Sequence, residues 1–64
     1  MVSDEALVLL HMLSLNESQR ARGELMTEII VRPGVWGELA RAGAIDEGGA
    51  LTAVGREMLG EVQP

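Results

Sequence analysis

One Pro-Gly pair near mid-chain, in Arg32-Pro33-Gly34, constrains the fold of this sequence more than any other feature. Proline cannot donate a backbone hydrogen bond inside a helix, yet it fits the first turn of a new one. No helix continues through that point, so the helices lie to either side of it. With 64 residues, a single domain spanning 1–64 is expected. A domain of this size buries a modest share of its surface. Trp36 is the only aromatic residue, so the core has to come from Leu, Ile, Val, Met and Ala. So thin a core invites cover from a second copy or from another molecule.

On the N-terminal side Ser3 is a good N-cap, and Asp4 and Glu5 in the first turn suit the helix dipole. The run from Ala6 to Leu13 is apolar on nearly every side, which predicts a helix over about 4–14 that is buried or shared. Asn16, with Gln19 three positions on, suggests a capping box opening a second helix from Glu17 to about Val31. In it Ala21, Leu25 and Ile29 repeat every four residues, flanked by Met26 and Ile30. Arg20, Glu24, Glu28 and Arg32 form a solvated ladder with the same spacing. Gly23 interrupts this helix at a cost of about 1 kcal/mol relative to alanine, so a bend or split is expected there.

Beyond the break a third helix is predicted over about 34–42, burying Val35, Trp36 and Leu39, with Gly43 as its left-handed end. Ala44-Ile45 reads as a short extended piece, Asp46-Glu47-Gly48-Gly49 as a turn, and Ala50-Leu51 as the return. Thr52 caps a last helix over about 53–62, with Val54, Met58 and Val62 on one face and Leu59 alongside. The expected class is mostly α, in the order helix, helix, helix, small hairpin, helix.

Two adjoining pieces within residues 33–59 carry a family resemblance. Leu39-Ala40-Arg41-Ala42-Gly43-Ala44-Ile45 resembles the L-x-x-x-G-L-I end of the third helix in bacterial and archaeal winged-helix regulators. Leu51-Thr52-Ala53-Val54-Gly55-Arg56-Glu57-Met58-Leu59 resembles their L-T-x-x-G-R-x-L-L segment, which leaves the wing and enters the next helix. The resemblance implies a small winged-helix-like domain with three helices, a minimal two-stranded wing and a C-terminal helix. It also implies a helix-turn-helix that binds DNA and regulates transcription. On that reading Arg20, Arg22 and Arg32 contact phosphates, while Arg41 and the surroundings of Trp36 reach base edges.

The charge balance supplies a second reading. Ten acidic residues against five arginines and no lysine give a net charge of −5, and an acidic chain disfavours nucleic acid. Four of the five arginines lie within 17–41, which sums to zero, so the net negative charge sits at the ends, with Asp46 and Glu47 where a DNA-binding wing carries Arg or Lys. The alternative is an acidic protein-interaction module with the same fold, such as a viral or accessory modulator of a host protein. Either reading allows a homodimer or a protein partner, and Leu7, Leu10, His11 and Ser14 are the candidate interface on the first helix. Trp36 is read as a core plug, or as an interface anchor if it proves partly exposed.

Catalytic chemistry is not expected. Without cysteine there is no thiol nucleophile, Cys-based zinc site or disulfide. His11 is the only histidine and is read as a core-edge residue rather than a ligand. The acid pairs Glu24/Glu28, Asp46/Glu47 and Glu57/Glu61 read as solvated surface, and Gly48-Gly49 as a turn rather than a phosphate loop. No cofactor, metal or small-molecule substrate is expected. The longest mostly apolar run, Ala6 to Leu15, covers ten positions, whereas a membrane helix needs about twenty. The acidic start Met1-Val2-Ser3-Asp4-Glu5 is unlike a secretory signal, so a soluble, cytoplasmic protein off the membrane is expected.

Overall fold

The computed structural model describes residues 2–60. They form three helices, α1 (Asp4–Ala21), α2 (Val35–Arg41) and α3 (Ala53–Met58). The mostly helical class is as expected, but the helices are differently placed.

α1 starts where the sequence indicates, with the Ser3 hydroxyl accepting the Ala6 N–H at 3.2 Å. It does not stop near Ser14. It runs through Asn16 for 18 residues, because nothing between Leu13 and Arg20 breaks a helix. Asn16 and Gln19 therefore cap nothing. Their side-chain carbonyls both accept the N–H of Thr27, at 3.1 and 2.9 Å.

The expected second helix over 17–31 is absent. Its first turns belong to α1, and residues 24–32 are not helical. Gly23, at φ +72°, ends α1. Its N–H bonds to the Arg20 carbonyl at 3.1 Å, and the Glu24 N–H bonds to the Gln19 carbonyl at 2.8 Å. This bond pair closes a helix whose next residue is left-handed. The glycine read as a flaw inside a helix is the residue that stops one. Downstream, the β-branched Thr27, Ile29, Ile30 and Val31 gain little from restarting it.

α2 ends by the same device. Gly43 sits at φ +75°, its N–H bonds to the Ala40 carbonyl at 3.1 Å, and the Ala44 N–H bonds to the Leu39 carbonyl at 3.0 Å. The expected two-stranded wing is reduced to one antiparallel bridge, Ile45 with Leu51. No strand forms among the described residues. The turn between them is held from within, as Asp46 Oδ1 accepts the N–H groups of Gly48 and Ala50, each at 2.9 Å.

Thr52 then joins both segments that carry the winged-helix resemblance. Its hydroxyl donates to the Gly43 carbonyl and accepts the Gly55 N–H at 3.1 Å, capping α3. Gly55 is buried, and a Cβ there would lie 2.2 Å from the Ala44 carbonyl oxygen. The glycine of the L-T-x-x-G pattern is thus required by backbone contact. α3 ends at Met58, with Leu59 as C-cap, short of the expected 62. Val62 lies outside the described residues.

The core is one aliphatic cluster of Ala6, Leu9, Leu10, Leu39, Ala44, Ile45 and Leu51. Val2, Leu13, Ile29, Val35, Met58 and Leu59 cover it in part. Among the described residues no helix is long and apolar enough to cross a membrane.

Candidate interaction surface

The arginines named for DNA do not converge. Arg22 forms a two-bond pair with Glu24, Nε to Oε2 at 3.0 Å and Nη2 to Oε1 at 2.9 Å. That contact holds its guanidinium above its ordinary pKa. Arg32 Nη1 donates to Glu5 Oε1 at 2.7 Å. Arg41 folds back along α2, where its Nη1 would lie 3.1 Å from a Cβ on Gly37. Among the described residues Arg20 bonds no carboxylate; its Nη2 lies 3.9 Å from Met26 Sδ. Of the five positions expected to touch DNA, Arg20 and Trp36 are the pair that share a site, a hollow of about 200 Å³ beside Gly49.

Trp36 is not the core plug. It is 38% exposed and absent from the aliphatic cluster. Its ring lies against Gly49, where a Cβ would come within 2.7 Å of Cη2. The tryptophan props the turn from outside the core.

The face of α1 expected to meet a partner is divided. Leu10 is fully buried in this chain's own core and is not available to another. Leu7 and Ser14 are half-buried, and His11 is exposed. The four residues do not form one open apolar patch.

The open apolar surface lies in the segment read as a helix. Leu25 is 95% exposed and Ile30 is 90% exposed, with Met26 and Val31 also open to solvent. On the adjoining edge of α1, Val8 is 58% exposed. Val8 and Met12 form one wall of a groove of about 360 Å³, and Ile29, Ile30 and Val31 form the other. Among the described residues, Thr27 is the only one between 25 and 34 whose backbone N–H is bonded to another of them. The segment thus offers apolar side chains and unpaired backbone together. Helical periodicity concealed this by assigning those side chains to a buried face; the β-branched run was the contrary signal.

Two carboxylates act structurally. Glu17 of α1 accepts the Leu51 N–H at 2.9 Å through Oε2 and Arg56 Nη2 at 2.7 Å through Oε1. It pins the turn and α3 to α1, a role not legible while Glu17 was assigned to the start of another helix. Glu38 of α2 is bonded to Ser3, whose N–H and hydroxyl hold its carboxyl below the ordinary glutamate range. Among the described residues no three His, Asp or Glu side chains gather as a metal site.

No family model, curated protein or solved structure matches this chain.

Proposed function

We propose that this chain is a non-enzymatic protein-interaction module that meets its partner through residues 24–32 and the Val8 edge of α1. The carrying observation is the near-complete exposure of Leu25 and Ile30 in a domain whose core is so small. Covering each such side chain contributes roughly 1.5–3 kcal/mol toward association. Exposed apolar groups clustered along one segment mark interaction sites, whereas single ones do not.

A DNA-binding transcriptional regulator is the competing reading. It is favoured by the interlock of Gly43, Thr52 and Gly55, the part of the fold that carries the winged-helix resemblance. Against it stand the net charge of −5 and the pairing of Arg22 and Arg32 with carboxylates. A helix preceding α2 across a short turn, which a helix-turn-helix requires, is also missing.

The test sets the two against each other. A photo-crosslinking residue at position 30, with position 57 as control, is expected to give a discrete protein adduct in cells. A labelled random-sequence DNA duplex is expected to stay free at low salt, where phosphate contacts are strongest. Tight, salt-sensitive DNA binding without a protein adduct would reverse the conclusion.

A further inference from the structure

The exposed run Glu24-Leu25-Met26-Thr27-Glu28-Ile29-Ile30-Val31-Arg32 is close to a mirror of itself about Glu28. Two exposed apolar residues stand on each side, Leu25 and Met26 before the centre and Ile30 and Val31 after it. Opposite charges close the two ends. Laid antiparallel on an identical run, this order sets Leu25 against Val31, Met26 against Ile30 and Glu24 against Arg32. Each pairing occurs twice.

We infer that the occupant of this surface is a second copy of this chain, related by a two-fold axis at Glu28. The inference rests on the protein-interaction reading and names its partner. A two-fold interface must be self-complementary, since each residue meets its counterpart's neighbour on the other copy. Here one register satisfies that condition for apolar contact and for charge. The backbone supports it as well. Thr27 turns its N–H inward to Asn16 and Gln19 of α1. The N–H groups of the alternate residues Met26, Glu28 and Ile30 have no such bond among the described residues. Where a segment leaves its main chain open in this way, an antiparallel copy can supply the missing backbone bonds, and alternate side chains supply the choice of partner.

Both terminal charges already hold exposed partners within the chain, Arg22 for Glu24 and Glu5 for Arg32. Exposed pairs of this kind are weak, so exchanging them across the interface costs little. The unfavourable feature is also specific. Glu28 faces Glu28 at the axis, and like charges directly opposite one another weaken a pairing.

Sedimentation equilibrium of the full chain over a wide concentration range tests the inference, with far-UV circular dichroism confirming that each variant folds. A reversible monomer–dimer equilibrium is expected. Ile30→Asp should abolish it, and Glu28→Gln should tighten it by roughly two- to fivefold. Glu24→Arg should weaken it, and adding Arg32→Glu to that variant should restore it. A chain that stays monomeric throughout overturns the second copy as partner. So does a dimer indifferent to Ile30→Asp and to the charge exchange. If a monomeric chain still gives a foreign protein adduct at position 30, the interaction reading stands without this inference; with no adduct, both fall.

Discussion

Glu38 accepts both hydrogen bonds that Ser3 has to give, the backbone N–H at 2.6 Å and the hydroxyl at 2.9 Å. The residue that caps α1 is thereby tied to the middle of α2. The tie depends on ionisation, because the backbone bond from Ser3, and then its hydroxyl bond, holds the Glu38 carboxyl below its ordinary range. A carboxyl with a lowered pKa in the folded state stabilises the fold above its unfolded value. That contribution disappears as pH falls through the folded value. The thermal midpoint should therefore fall on acidification below about pH 4.5, and Glu38→Gln should lose less over the same interval. Melting curves of the two proteins from neutral pH to pH 3 or so check this.

Gly55 and Gly37 should respond oppositely to alanine. At Gly55 the new methyl group meets the Ala44 carbonyl oxygen at 2.2 Å, a backbone atom that cannot step aside. Overpacking of this kind costs about 1–3 kcal/mol or more. At Gly37, inside α2, the nearest atom is the far end of the Arg41 side chain at 3.1 Å, which can swing away. Alanine there should stabilise by roughly 0.5–1 kcal/mol through helix propensity. Urea unfolding of both variants reads the two signs.

Leu10 and Leu25 are the same residue type in opposite environments. Leu10→Ala empties part of the core and should cost about 2–5 kcal/mol. Leu25→Ala, at concentrations where the chain is monomeric, should change stability by no more than about 0.5 kcal/mol. Equal effects in chemical denaturation would mean that residues 24–32 are packed rather than open.

Glu17→Ala should loosen the turn before it loosens the helices. The substitution removes the acceptor of the Leu51 N–H and one partner of Arg56. Loss of a part-buried acceptor of this kind costs about 1–3 kcal/mol. Amide hydrogen exchange at Leu51 should accelerate more than exchange at Leu10.

Much of the C-terminal half was legible because its signals are local. Gly43, the Asp46–Gly49 turn and the Thr52 cap each act within a few residues, and each lies where its chemistry indicates. The N-terminal half was misread at three residues. Asn16 and Gln19 have capping chemistry, but a side chain able to cap also serves to receive a distant N–H, and here that is Thr27. Gly23 fits a helix interior at a penalty and a helix end at none, and spacing alone does not separate the two. The candidate surface followed those errors, since a four-residue repeat at Ala21, Leu25 and Ile29 places on a buried face what the structure leaves in solvent.

Gly23 thus stands at a stereochemical fork. Its φ of +72° turns the chain off the α1 axis, and any side chain there strains that turn by roughly 1–2 kcal/mol. That turn carries residues 24–32 away from the cylinder of α1, and a Cβ at position 23 would work against it. The exposed apolar run owes its place beside α1, and not along its axis, to the left-handed backbone at this one position.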